Sequence, residues 1–450
     1  MKHYSFSVAL PIGITVVVGL VTSALASLAQ TAAGPNHHVI VAESSALGQR
    51  LAHDVATNGD MIVTLNSPNS PVPKVSNNAV DRSLSAPQTI VNIVSFPYHS
   101  GASAQRYFIT DLGTLGGTES FAYALNDSGQ VVGTSRISGD VSTHSFLYTD
   151  GKMTDLYPLN SQDIQTVGPT GINNAGQIAS GIIVNGVYVP AILDSPTGNL
   201  TLLGSLGAVT DYGFSGVATS INNEGNATGY SYIDNLNRHG FLYRNNVMTD
   251  IGSFGGYSSG WAINDENEIA GFASATYNGV AHAFVYIDGV MTDLDPVTES
   301  YAKDVNNQGH AVGQFLTADG TAFHAFLYSQ GNFTDITPAG GPEAIANGVN
   351  NAAQVVGSAS FANKVHAFFY DNGEIVDLNS VIPRDSGWEL TLAVDLNNHG
   401  QITGYGSVNN KSRAYLLTPV ISTEQCKDDA WMRFGFKNQG QCIRYVNTGN

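Results

Sequence analysis

Charge is the first thing this sequence lacks. Only 12% of its 450 residues are Asp, Glu, Lys or Arg, about half the ~25% usual for a soluble domain. Basic residues are scarcest, 18 against 36 acidic ones, for a net charge of −18. A field of that sign attracts neither nucleic acid nor an anionic membrane surface, so neither is expected as a partner. Cysteine is nearly absent: Cys426 and Cys442 are the whole complement. Two thiols with no histidine nearby beyond His399 cannot complete a tetrahedral zinc site. Beyond the N-terminus no apolar run is long enough to span a bilayer. No phosphate-binding loop, dinucleotide fingerprint or H-E-x-x-H motif occurs, and the "GTLGG" at Gly113–Gly117 belongs to a loop rather than a phosphate cradle.

What is plentiful is glycine (49) and tyrosine (20). With frequent Asn and Thr and little Lys, this suits many short strands joined by tight turns. The N-terminus has a basic residue, Lys2, then an apolar stretch from Val8 to Ala26. "ALA" at Ala24–Ala26 and Ala29 offer small residues for cleavage, so residues 1–29 read as a signal peptide. An uncleaved anchor is the alternative, and either places the rest of the chain outside the cytoplasm. Residues 30–105, as in "NSPNSPVPKVSNN", lack a sustained period and read as a linker, largely disordered, with at most a few short strands. In an exported chain the two cysteines are expected to pair, making residues 420–450 a small disulfide module. In the loop-entropy picture that bond contributes on the order of 3 kcal/mol.

Between these ends the chain repeats. An aliphatic residue followed by Asn opens "LNDSGQVVG", "INNAGQIAS", "INNEGNATG", "INDENEIAG", "VNNQGHAVG", "VNNAAQVVG" and "LNNHGQITG", with Asn126, Asn173, Asn222, Asn264, Asn306, Asn350 and Asn397 spaced 42 to 49 residues apart. A period of 40 to 50 built from short strands signals the blades of a β-propeller. Each Asn precedes a four-residue turn, where an Asx-type bond to the backbone is its expected role. The turn's last position is Gly in five copies, Asn267 in one and Ala353 in another. A left-handed residue belongs there, and Ala353 should be mildly strained. The last copy stops at Pro419 without a fourth strand, while the first is preceded by an orphan strand at Arg106–Gly113. Together they make one blade, as a ring closed by mixing both termini requires. The expected fold of residues 106–419 is all-β: seven four-stranded antiparallel blades, with Tyr107–Leu112 zipped alongside Arg413–Leu417.

A histidine and an aspartate also recur, eleven residues apart: His144 with Asp155, His239 with Asp250, His282 with Asp293, His324 with Asp335 and His366 with Asp377. The second copy has Pro190 and Leu202 instead, losing both polar partners together, and the last has Arg413, whose Asp111 comes from the orphan strand. Loss and replacement in pairs means that the two side chains meet. Blades radiate from an axis, so five such pairs cannot converge on one substrate, and they are read as structural. After each histidine position comes a small residue, then a large apolar one (Phe146, Ile192, Phe241, Phe284, Phe326, Phe368, Tyr415), read as core.

"DLGTLGG", "INDENEIAG"-type turns and "HAFLY" together resemble the bacterial extracellular repeat named HAF after its His-Ala-Phe triplet, over residues 107–419. The resemblance implies a secreted repetitive protein and supplies no catalytic residues. "CKDDAWMRFGFKNQGQCIRYVN" is similar to a short C-terminal motif of assorted secreted bacterial proteins, which leaves surface attachment and export open as roles.

Residues repeated in phase are scaffold, so a site is sought out of phase. The inter-blade loops display Tyr157, Tyr212, Tyr257, Trp261, Tyr301 and Trp388, with Asp163, Asp211 and Asp385 nearby. Aromatics beside carboxylates suit stacking and hydrogen bonding to a carbohydrate or peptide, although the same residues also fill gaps between blades. Asp304 and Asp395 occupy a first-strand position that is small elsewhere, making them the candidate acid and base of a hydrolase or lyase. A non-catalytic binding or adhesion module is the first expectation, the enzyme the second, and a structural spacer the third. No cofactor is expected. Calcium is left open, though no twelve-residue Asp-rich loop ending in Glu appears. A monomer is expected.

Overall fold

The computed structural model describes residues 39–43, 61–65, 91–94 and 105–449, apart from 157–163, 196–197, 208, 296–297 and 339–340. The expected signal peptide lies outside these residues. In the region read as a linker, Val39–Glu43 pairs in parallel with Met61–Leu65, which pairs antiparallel with Val91–Val94. These strands belong to a unit, Met1–Ser103, separate from the repeat region.

The repeats form seven four-stranded antiparallel sheets. Six follow the chain, strand by strand, from Gly116–Leu125 to Glu374–Asp377. The seventh takes Trp388–Leu396, Ile402–Val408 and Lys411–Pro419 and is completed by Tyr107–Asp111 from the other end of the repeat region. The register runs from Tyr415 opposite Asp111 to Pro419 opposite Tyr107. This is a seven-bladed β-propeller whose ring closes through both ends of the repeat.

Each repeated asparagine does two jobs. Its Oδ1 accepts the backbone N–H groups two and four residues on, as Asn306 does from Gln308 and His310 at 2.9 and 3.0 Å, which builds the turn. Its Nδ2 donates to the backbone carbonyl of the next blade's asparagine. The last of these bonds, from Asn397 to the Asn126 carbonyl at 3.0 Å, returns to the start. Seven buried side chains thus form a closed circle of hydrogen bonds. A second circle surrounds it, in which the N–H of each following residue donates to the side-chain oxygen of its counterpart one blade on, from Asp127 and Asn174 round to Asn398 and Asp127. The left-handed turn position is occupied as expected, with φ of 72° to 81° at the five glycines, 65° at Asn267 and 60° at Ala353.

The core lies between blades. Phe146, Phe241, Phe284, Phe326, Phe368 and Tyr415 are fully buried, each contributing roughly 1.5–3 kcal/mol by burial. Every one sits over a second-strand glycine. A Cβ on Gly313 would stand 1.9 Å from the Tyr301 carbonyl and 2.9 Å from the Phe326 ring. The second blade departs at both positions together: Ile192 replaces the aromatic ring, and the Ser180 hydroxyl donates to the Gly168 carbonyl at 3.0 Å.

The C-terminal module packs on the closing strand. Cys426 and Cys442 form a disulfide, tying the turn at Thr423–Cys426 to helix α2 (Gln439–Thr448), with the short helix α1 (Ala430–Arg433) between them. Phe108 of the closing strand is fully buried, stacked on Phe434 at 4.2 Å and flanked by Phe436 and Tyr445. The Tyr445 hydroxyl donates to the Tyr107 and Val381 carbonyls. Arg106 donates to the carbonyls of Tyr445 and Val446 at 2.6 and 2.8 Å. The module is therefore a clasp over the seam of the ring. Replacing Cys426 and Cys442 by Ala removes about 3 kcal/mol of loop constraint from this clasp. Tryptic cleavage after Lys427 and Arg433 is then expected to quicken at least tenfold while the propeller strands stay resistant. Unchanged cleavage would contradict a disulfide-held clasp.

Candidate functional site

The first strand of every blade carries one extra residue relative to its neighbour, just before the turn. The pairing skips Tyr123, Thr170, Thr219, Trp261, Lys303, Asn347 and Val394, each three residues before the repeated asparagine. A bulge of this kind re-aims a side chain. All seven bulged residues line one cavity of about 580 Å³ formed by the innermost strands, within the size range of ligand sites. The strongest repeat in the protein therefore presents its least repetitive residues to a common space. A smaller polar recess of about 150 Å³ lies at the asparagine rings.

Some bulged residues are tied to the next blade. Thr170 and Thr219 donate to the carbonyls of Ala218 and Gly260 at 2.7 and 2.9 Å, and Asn347 Nδ2 to that of Ala393 at 3.0 Å. Tyr123, more than a third exposed, shares a 3.0 Å hydrogen bond with Thr134. Lys303 differs. Its Nζ lies 5.3 Å from the centre of the Trp261 ring, and it has no ion pair among the described residues. Burial pulls its ammonium below the usual lysine range. Trp261 in turn stacks against Tyr301 at 6.0 Å and meets Phe272 edge-on at 4.9 Å. The Tyr301 hydroxyl donates to Glu299, and burial with that carboxylate raises its pKa.

Asp304 and Asp395 stand on the same wall, one residue after the bulge. Each uses both oxygens on backbone amides: Asp304 accepts from Val305 and, across the blade interface, Val349, both at 2.8 Å. Asp395 accepts from Leu396 and Leu125, both at 2.7 Å. Gly348 separates them; a Cβ there would come within 3.1 Å of the Asp395 Cα. Burial outweighs the two N–H bonds and pushes Asp304 up to about 6. Burial, with the Asp304 charge added, pushes Asp395 to about 8.

Of the residues singled out in the sequence, the structure brings Trp261, Asp304 and Asp395 to the cavity, with Tyr301 stacked behind Trp261. The other described ones do not line it. Tyr212 is 86% exposed, and Asp211 is bonded to Asn235. Tyr257 packs edge-on against Phe272, and Trp388 against Tyr415. Asp385 is exposed in a turn. Tyr157 and Asp163 lie outside the described residues. The histidine–aspartate pairs sit on the two outer strands, with Nδ1 to carboxylate distances of 2.7 to 2.9 Å. In the closing blade, Arg413 Nε is 3.9 Å from Asp111. Several of these aspartates also accept an N–H two residues on, as Asp250 does from Gly252 and Asp335 from Thr337, which holds the inter-blade turn. Among the described residues no group of three or more His, Cys, Asp or Glu side chains is placed to hold a metal ion. No helix among them is long and apolar enough to cross a membrane.

Sequence reasoning missed Tyr123, Thr170, Thr219, Lys303, Asn347 and Val394. The available signal was their variability at a fixed distance from an otherwise repeated asparagine.

No family model and no curated protein matches the chain. Among solved structures it is similar to the Pyrococcus horikoshii acylaminoacyl peptidase, at 12% identity over 68% of this chain and 53% of that one, with a TM-score of 0.42. A puromycin-hydrolyzing peptidase of Mycobacterium tuberculosis matches at 10% identity over 67% and 50%, with a TM-score of 0.46. TolB from Acinetobacter baumannii matches at 12% over 76% and 84%, with a TM-score of 0.37. The chain spans about half the length of the two peptidases, and nothing about its chemistry follows from these likenesses.

The two cavity aspartates yield a pH prediction. A carboxyl whose folded pKa is raised binds its proton more tightly in the folded state, so its contribution is most favourable below about 4 and declines as pH rises. Stability is expected to fall from about pH 4, most steeply up to pH 6 where both groups contribute, more gently from 6 to 8, and to level off above about 8. Carboxyl-carbon NMR titration should show Asp304 and Asp395 titrating late, Asp395 last. Titration of both near 4 would contradict this account of their burial.

Proposed function

We propose that this chain is a secreted, non-catalytic binding module of the HAF-repeat type, which holds an extracellular carbohydrate or peptide in the cavity at the centre of its propeller. The observation that carries this reading is the set of bulges: seven successive blades aim seven out-of-phase side chains into one space, among them Tyr123, Trp261, Lys303 and Asn347. A pure spacer has no use for such a difference between blades. Aromatic faces with a few polar groups suit a ligand that is part apolar and part hydrogen-bonding.

A hydrolase or lyase built on Asp304 and Asp395 is the second reading, favoured by their shared wall and raised pKa values. Against it, every oxygen of the pair is already bonded to a backbone amide. That geometry suits a brace between blades better than a proton shuttle.

The test is a screen of the full chain against a broad glycan array and a peptide library. Binding is expected, weakened at least tenfold by Tyr123→Ala or Asn347→Leu, with the melting temperature of the Tyr123→Ala variant unchanged within about 2 °C. Binding that ignores both substitutions would move the site elsewhere, and no binding to either panel would contradict the proposal. Turnover of any bound polymer, lost in Asp304→Asn or Asp395→Asn, would establish the second reading instead.

A further inference from the structure

The cavity's hydrogen-bonding inventory is lopsided, and its lopsidedness describes a ligand. On the donor side, Lys303 is the cationic side chain at the wall and has no carboxylate partner among the described residues. Its ammonium lies 5.3 Å from the centre of the Trp261 ring, a cation–π contact that holds the charge at the wall. A buried, unpaired cation is costly, and an anion brought to it removes that cost. On the acceptor side there is a surplus. Asn347 donates through Nδ2 to the Ala393 carbonyl, and its Oδ1 takes no hydrogen bond among the described residues. Each carboxylate oxygen of Asp304 receives one amide and keeps a second lone pair, and the carbonyl oxygen of Asp395 does the same. A complementary ligand thus carries one negative group for the lysine and several O–H donors for the acceptors beside it. Its ring face must also tolerate contact with Trp261 and Tyr123.

We infer that the cavity binds an acidic sugar, a hexuronate unit of an extracellular polysaccharide, with its carboxylate on Lys303 and its hydroxyls toward Asn347, Asp304 and Asp395. This inference rests on the reading of the cavity as a ligand site and narrows it. A neutral sugar leaves Lys303 unpaired. A peptide's terminal carboxylate matches the lysine but brings too few donors for the acceptors facing it. The chain's net charge of −18 repels a polyanion at long range, so affinity arises from the short-range contacts, and added salt, which screens that repulsion, does not cause the steep loss seen with polyanion-attracting proteins.

The experiment is calorimetric titration of the full chain with galacturonate, mannuronate, guluronate and glucuronate oligomers and with their carboxyl-reduced counterparts. At least one acid oligomer is expected to bind, and its reduced counterpart at least tenfold more weakly. Lys303→Met, which keeps an unbranched chain and removes the charge, is expected to weaken the acid form at least tenfold and change the reduced form far less. Lys303→Arg, which keeps the charge, should stay within a few-fold of wild type and serves if the Met variant does not fold. Equal binding of acid and reduced oligomers, or acid binding indifferent to Lys303→Met, would overturn the inference while leaving a carbohydrate module intact. A carboxylate-bearing peptide bound through Lys303 with no sugar bound would overturn the sugar class. Failure of every glycan and peptide would overturn the binding reading itself.

Discussion

One asparagine per blade holds this molecule together. A buried primary amide has two donors and two acceptor sites, all of which need partners. Here the oxygen is satisfied inside its own turn, while the nitrogen also donates across the blade interface, so the residue that builds each turn couples it to the next blade. Single hydrogen bonds of this sort contribute about 1 kcal/mol, but seven in a circle make the ring's register all-or-none. The Asn397 bond to Asn126 is the one between the last repeat and the first. The same need explains why the position does not vary: a shorter or apolar side chain would leave a buried backbone carbonyl, and the turn's N–H groups, without partners.

That demand for identity divides the protein into two kinds of residue. Asparagine ring, second-strand glycine, buried aromatic and outer histidine–aspartate pair recur because each blade solves the same packing problem. The bulged residue is freer, since it points inward to the shared cavity, although Thr170, Thr219 and Asn347 still reach a carbonyl of the next blade. Variation is thus concentrated at the axis, in one space that all seven blades share. Asp304 and Asp395 occupy an intermediate place. They line the cavity, yet each reaches into the next blade to accept a backbone amide, and their raised pKa values follow from burial in that bracing position.

Much of the fold was legible because it is written seven times. Blade number, strand count and closure by Tyr107–Asp111 follow from the spacing of one dipeptide and from the remainders at the two ends. The pairing of His324 with Asp335 follows from the joint loss at Pro190 and Leu202. The site was less legible, for a specific reason. A one-residue bulge shifts which face a side chain occupies without changing the sequence period, so Lys303 and Asn347 read as ordinary strand residues beside Asp304 and Gly348. Trp261 reads as an inter-blade loop aromatic, whereas it is the bulged residue of the strand Ser258–Ile263, and its stacking on Tyr301 shows only in three dimensions. The clasp was hidden likewise: nothing local to Phe108 announces that Phe434, 326 residues away, will stack on it.

The central claim is that the asparagine circle is complete, and side-chain amide NMR reads it directly. The Nδ2 protons of the seven asparagines should form one class exchanging slowly with solvent, Asn397 among them. Six protected amides with Asn397 exchanging at the rate of a free side chain would mean that the ring stands open between its last blade and its first.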